Sequence, residues 1–499
     1  MKIALIISII SLASRLLSLV SIQIYMAFFG PQTLAVEVYT FALNIPNIVF
    51  NVLGTSITAI VVPIYSGLIK KNKEEARTFI IRMITIVMSI VLFFMLAFFI
   101  AAPLLVNFAY FTGYYAIFAI TALRIMLFSM FFYGLNYLLQ GVLHSHNKFF
   151  LAAVVTIPTS AFIIGYTLLL GERFGVYGLI YATVIAFSLQ GIILAPKALK
   201  LIFDEKSKIN INFIRNFKSD ENIKKAKEMV GPLIISAASF QIMSIFNTVM
   251  ATHFRIATIQ AFVMNLVLVA SLSVIYSITS VYLPKLSVLY EENKDEYEKT
   301  LYRIIQIILI LMVPASILFA ILRGEIISLL VQWGNFGEEE ANLTANLLGI
   351  FGLAAAPLGI KEACDRAYYA QKNSKMPSIF GFLIMLSSII FTLSFINIFG
   401  VYTIAVAYVL SFVLGSICLL ISLRLTYTPI LINLLKIAIS GALMGGILIL
   451  IPPMYTNTGI IFLDRLLALA LPSILGVLAY GLLIIILYRK ELKLWKKGK

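Results

Sequence analysis

Charge is what this sequence has least of. Only 12% of its 499 residues are Asp, Glu, Lys or Arg, about half of the quarter that a water-soluble domain carries. No polar coat large enough to keep such a chain folded in water can be drawn from it. Cysteine is almost missing: Cys364 and Cys418 stand in apolar stretches with no CxxC spacing and no neighbouring histidine. That excludes a disulfide framework and argues against metal or redox chemistry. Three histidines are too few for a histidine-rich site, and His144 and His146 read as loop residues. Strict apolar–polar alternation is absent, which excludes a membrane β-barrel. There is no Gly-rich phosphate loop and no nucleophile with a base and an orienting partner. Membrane glycosyl- or phosphotransferase chemistry therefore ranks last, the chain reads as a transporter rather than an enzyme, and no metal or cofactor residues are assigned.

What is present is hydrocarbon. Hydrophobic residues make up 61% of the chain, and apolar runs of roughly 20 residues, the length that crosses a bilayer, recur from Ile3 to Tyr488 with short polar breaks. Backbone polar groups in lipid must be satisfied within their own segment, so the fold class is all-α. About fourteen transmembrane helices are expected. Their approximate bounds are 3–29, 36–68, 78–107, 114–143, 150–170, 176–202, 228–252, 257–289, 300–331, 341–370, 377–398, 401–424, 428–451 and 461–488. Residues 1–14 have the outline of a signal peptide, but the apolar pattern runs on through Arg15 to Phe29 and reads as a retained helix.

The net charge of +16 suggests nucleic acid only until the basic residues are placed. They fall in every second break, for example Lys70, Lys71, Lys73 and Arg77, then Lys148, then the run from Lys197 to Lys227. The intervening breaks carry only Arg173 and Arg255, and the stretch from Trp333 to Glu340 is acidic. Basic loops face the cytoplasm, so both termini are expected inside a bacterial inner membrane, with the loops touching lipid headgroups. No nucleic-acid partner is expected.

The chain also repeats itself. Ser56-Ile57-Thr58, Pro63, Asn72-Lys73-Glu74-Glu75 and Arg82 recur as Ser277-Ile278-Thr279, Pro284, Asn293-Lys294-Asp295-Glu296 and Arg303, each at the same offset of 221 residues. Six helices lie within that offset, so the two halves enter the membrane in the same sense. The expected organisation is an N-lobe of six helices (1–205), a cytoplasmic linker (206–226), a parallel C-lobe of six helices (227–424), and two further helices with a basic tail (425–499). A substrate path would run between the lobes by alternating access.

Two parallel six-helix lobes suit the MATE-like exporters of the MOP superfamily, and local motifs narrow this. Asn44-Ile45-Pro46-Asn47 with Pro63-Ile64-Tyr65-Ser66, Arg124-Ile125-Met126 with Gly141-Val142-Leu143, Asn147-Lys148-Phe149-Phe150, and Arg366-Ala367-Tyr368-Tyr369-Ala370-Gln371 before Pro377 resemble, in order and spacing, the MurJ (MviN) family of lipid II flippases. The resemblance runs over roughly residues 10–420. It implies translocation of a polyprenyl-pyrophosphate-linked peptidoglycan precursor from the inner to the outer leaflet. It also implies a monomer, with a sodium ion or the membrane potential as driving force. The alternatives are an exporter of another lipid-linked oligosaccharide and a cation-coupled drug antiporter.

An anionic pyrophosphate needs cations on its way through hydrocarbon. Arg15 lies mid-helix, and Ser14-Arg15 matches the family's Ser-Arg pair. The expected substrate-binding set is Arg15, Ser14, Arg124, Asn47, Asn51 and Asn265. Where family members carry further cations, this chain has Ser21-Ile22, Phe50-Asn51 and Asn265. Asn247 stands where a seventh-helix carboxylate often serves the coupling cation. Lys361, Glu362, Asp365 and Arg366 form an expected gating cluster, with Lys361–Asp365 and Glu362–Arg366 both spaced to pair one turn apart. Arg323-Gly324-Glu325 reads as an ion pair at the external interface around a helix break. Glu37, opening the second span, is expected to favour its own helix start and nothing more.

Overall fold

The computed structural model describes residues 2–146, 148–203, 239–373, 375–423, 427–451, 453 and 460–489. The expected linker 206–226, most of the basic tail and the start of the seventh span lie outside these residues. All regular structure within them is helical. The helices are α1 (Lys2–Phe29), α2 (Leu34–Lys71), α3 (Lys73–Phe108), α4 (Gly113–Leu127), α5 (Ser129–Ser145), α6 (Phe149–Val154) and α7 (Thr156–Ile202). Next comes α8, described over 239–253. The rest are α9 (Ala257–Glu292), α10 (Lys294–Ile321), α11 (Arg323–Val331), α12 (Glu338–Gly352), α13 (Ala355–Ala370), α14 (Lys375–Phe399), α15 (Thr403–Ser422), α16 (Tyr427–Leu450) and α17 (Ile461–Leu487). Among the described residues, nine helical stretches are long and apolar enough to cross a membrane.

Most expected spans match a helix to within a few residues, and the exceptions have local causes. The tenth span, expected as one helix over 341–370, is α12 plus α13. Pro357 sits in the first turn of α13, where its missing N–H is harmless but its ring would clash with the carbonyl of Leu353, so the helix breaks there. Pro158 does the same between α6 and α7. The fourth span breaks at Phe128, whose backbone N–H bonds to Ile125 O at 3.1 Å in a tighter turn, with the Ser129 hydroxyl donating to Met126 O at 2.6 Å beside it. The break expected between the fifth and sixth spans, at 171–175, is present within α7 as a sharp kink at Gly175. There φ is +58° and ψ −156°, a conformation open only to a residue without Cβ.

The 221-residue repeat reads through to local geometry. Asn72 joins α2 to α3 and Asn293 joins α9 to α10, both with φ −153°. Each backbone N–H closes the preceding helix at 2.8 Å, onto Leu68 and Leu289. Each side-chain Oδ1 then caps the next helix, accepting from Glu74 N at 2.9 Å and from Glu296 N at 3.0 Å. The following acids, Glu74, Glu75, Asp295 and Glu296, lie where the helix dipole favours negative charge.

The chain forms two compact units, Met1–Thr258 and Ile259–Lys499. The core of the first includes Met26, Tyr39, Phe41, Phe79, Ile80 and Leu123, all fully buried. In the second, α16 and α17 pack on α10 through Met444, Leu448 and Tyr480 against Leu309 and Met312. A Cβ on Gly441 would stand 3.0 Å from Ile317, so α16 depends on a bare backbone to lie this close to α10. The Tyr480 hydroxyl locks the contact by donating to Ile310 O at 3.0 Å. Outward faces are apolar, as lipid requires: Phe93, Ile100, Leu169 and Leu450 are each at least two-thirds exposed.

Replacing either capping asparagine, Asn72→Ala or Asn293→Ala, is expected to lower stability by about 1 kcal/mol, whereas Asn→Ser retains most of it. Thermal unfolding of the purified chain in detergent measures both, and equal stability of the alanine and serine variants would contradict the capping role.

Candidate functional site

The first unit holds the sequence-selected residues of the N-lobe. Ser14 is buried, and its hydroxyl lies 2.9 Å from Ile10 O and 3.1 Å from Ala153 O, so it ties α1 to α6. Arg15, one residue on and about 100° around the helix, is exposed between exposed Ala13 and Leu16. It lies about 20 Å from either end of α1 at ~1.5 Å per residue. Among the described residues, no carboxylate lies within ion-pair distance of it. Asn47 is half-buried on α2. The side chain of Asn51 lies outside the described residues. Arg124 is held by protein: its guanidinium lies 4.6 Å over the Phe99 ring, and its Nε donates to Phe99 O at 3.4 Å, which fastens α4 to α3. In the second unit Asn265 is exposed on α9, and its Nδ2 donates to Ala261 O at 2.8 Å.

The cluster on α13 is drawn together more tightly than spacing predicts. Lys361 Nζ lies 2.6 Å from Asp365 Oδ2 and 3.3 Å from Glu362 Oε1, with side-chain exposures of 20%, 7% and 14% for Lys361, Asp365 and Glu362. The Glu362–Arg366 pair expected from spacing is not among the ion pairs of the described residues. Arg366 instead sits over the rings of Tyr276 and Tyr369, at 5.7 and 6.0 Å. Aromatic faces hold a planar guanidinium well, while the compact ammonium draws both acids to itself. Arg323 likewise turns from Glu325 to Asn346 Oδ1 at 3.2 Å and Ala320 O at 2.6 Å. The helix break falls at Leu322, before Gly324.

Glu37 corrects the sequence reading outright. It is fully buried and does not serve its own helix. Its two oxygens accept from Ala257 N at 2.9 Å and Thr258 N at 3.1 Å, the first amides of α9. The Thr40 and Thr258 hydroxyls lie 2.7 Å from each other in the same group. A carboxylate on two exposed helix-start amides is a strong, charge-assisted cap. Nothing in the sequence near Glu37 points to a partner 220 residues away. A neutral network was also hidden: Asn136 Nδ2 donates to Gln190 Oε1 at 3.1 Å, and Gln190 Nε2 to Thr159 Oγ1 at 2.8 Å, inside the first unit. Lone amides in apolar runs leave no pattern to read.

Comparison with known proteins is consistent along the chain. The family model described as "Lipid II flippase MurJ" matches residues 26–485. A probable lipid II flippase MurJ of Borreliella burgdorferi is 25% identical over 415 residues, 80% of this chain and 79% of that protein. One from Aquifex aeolicus is 25% identical over 457 residues, covering 89% and 88%. Among solved structures, "Lipid II flippase MurJ, inward closed conformation" superimposes with a TM-score of 0.81 at 22% identity, covering 98% of this chain and all of that one. An inward-facing MATE family multidrug resistance transporter of the MOP superfamily follows with a TM-score of 0.68 at 16% identity, over 84% of this chain and 97% of that one. These two structures establish a shared fold.

Glu37→Ala strands two buried amides and is expected to cost about 3 kcal/mol or more, while Glu37→Gln, which keeps one acceptor, costs about half as much. Denaturant or thermal unfolding in detergent gives the comparison, and an alanine variant as stable as the native chain would refute the cap.

Proposed function

The chain belongs to the MurJ family of lipid II flippases, and from that premise we propose that it carries lipid II, a polyprenyl-pyrophosphate-linked peptidoglycan precursor, from the inner to the outer leaflet by alternating access. It is a multi-pass membrane transporter and not an enzyme. The observation that carries the reading is a family match over nearly the whole chain, on a fold shared with a solved member. We place it in the bacterial inner membrane with both termini cytoplasmic, on the strength of the alternating basic loops, and propose that it acts as a monomer.

Within this reading Arg15 is the cation that meets the pyrophosphate. An arginine near the middle of a spanning helix costs on the order of 3 kcal/mol or more unless something polar or anionic answers it, and Arg15 is exposed with no ion-pair partner among the described residues. Arg124, fixed to Phe99, contributes positive potential at a set depth rather than a mobile contact. Asn47, Asn51 and Asn265 supply hydrogen bonds to phosphate oxygens or sugar hydroxyls in place of the cations that other members carry. Ser14 positions α1 beneath Arg15. The α13 cluster, near the cytoplasmic end by the same topology, is the part of the second unit whose pairings would shift as the lobes rock.

The MATE-like fold raises a second reading, a drug antiporter, and the buried acids speak against it. Such a transporter needs a carboxylate available to a cationic cargo or proton. Here the two buried carboxylates among the described residues are engaged, Glu37 by the amides of α9 and Asp365 by Lys361.

The native chain is expected to sustain growth when a host's own lipid II flippase is depleted, and Arg15→Ala to fail. Loss of one charge-assisted contact of about 1.5–3 kcal/mol corresponds to a tenfold or greater drop in rate. Arg15→Lys should retain part of the activity. Failure of the native chain despite normal membrane expression would transfer the proposal to another lipid-linked cargo.

A further inference from the structure

Two carboxylates one helical turn apart, Glu362 and Asp365, project from α13 into the second unit with little exposure. Together they repel, and each costs several kcal/mol to desolvate, so a cation has to sit with them. That cation is part of the chain: Lys361 Nζ, at 2.6 and 3.3 Å. An isolated helix pair would need one acid for one base. Here there are two acids on one ammonium, and the oxygen set is not used up. Asp365 Oδ1 is buried with no hydrogen-bond partner among the described residues, and so is the hydroxyl of Tyr408 on α15. Arg366, a nearby cation on the same helix, is turned onto Tyr276 and Tyr369. Two carboxylates, one of them with an unsatisfied oxygen, are the kind of oxygen ligands that hard cations take.

We propose that Lys361 is a tethered cation, its ammonium occupying a monovalent-cation site built from Asp365 and Glu362. The chain then carries within its own sequence a positive charge that an ion-coupled transporter draws from solution. For flipping, and resting there on the reading given above, the consequence is that transport needs no sodium, and the membrane potential acting on the anionic cargo is sufficient drive. Removing the ammonium should convert the site into one that binds sodium or potassium.

The test needs no lipid substrate, so its outcome is separate from that of the flippase reading. Thermal unfolding of the purified full chain in detergent is compared in NaCl, KCl and choline chloride at equal ionic strength. The native chain should unfold at the same temperature in all three, as should Lys361→Arg, which keeps the charge. Lys361→Met should be destabilised in choline and recover saturably in sodium or potassium, by on the order of 3 °C at concentrations well above its dissociation constant. The double variant Lys361→Met with Asp365→Asn should lose that response. Specific stabilisation of the native chain by sodium would overturn the proposal. So would a Lys361→Met chain that is indifferent to the three salts, or unfolded in all of them, because the vacated oxygens are then no cation site.

Discussion

A charge placed in hydrocarbon must be answered within a few ångströms, and the interior of this protein is organised around that requirement. Bare ions are too costly to leave in a low-dielectric slab, and several charges here are met by a partner of the opposite kind. Glu37 is met by the two first amides of α9, Asp365 and Glu362 by the Lys361 ammonium, and Arg124 by a carbonyl and the face of Phe99. Arg465 donates to Ser328 O and Gln332 O at 2.9 and 2.7 Å, closing the end of α11. In each case the partner comes from a helix end, an aromatic face or an adjacent turn, the places where a helical membrane protein has polar capacity to spare.

Function follows from where that matching stops. Arg15 sits halfway along α1 with an exposed side chain and no counter-ion among the described residues, next to a serine committed to packing. In a family of lipid II flippases, an anionic headgroup is the natural complement of such a cation. Of the rest of the expected binding set only Arg124 is charged, and it is fastened to Phe99, so the proposal leaves the remaining recognition to hydrogen bonding from Ser14 and the asparagines.

Much of this was legible in the sequence because it depends on local or periodic signals. Hydropathy located nearly every helix, and the 221-residue offset anticipated that Asn72 and Asn293 would cap in the same way. The i to i+4 spacing of Lys361 and Asp365 announced their pair. The failures share a cause, which is dependence on groups far away along the chain. Glu37 looked like a helix-start residue because the amides it caps are 220 residues downstream. Arg366 looked like the partner of Glu362 because the ring of Tyr276, on α9, cannot be foreseen from α13. The break at Phe128 lay inside a run whose apolar pattern is unbroken, whereas the turn at Gly175 falls in the polar gap expected between the fifth and sixth spans. Pro158 and Pro357 carried a local signal for their breaks, yet the apolar runs through them read as continuous spans.

The central claim is that positive charge on an otherwise compensated interior selects a pyrophosphate headgroup. The most direct measurement is leaflet exchange in proteoliposomes containing the native chain, comparing a pyrophosphate-linked polyprenyl glycan with an analogue whose linkage is uncharged, under an imposed membrane potential. Rapid exchange of the pyrophosphate lipid, with the uncharged analogue moving no faster than in protein-free vesicles, is the predicted result. Equal rates for the two lipids would contradict it.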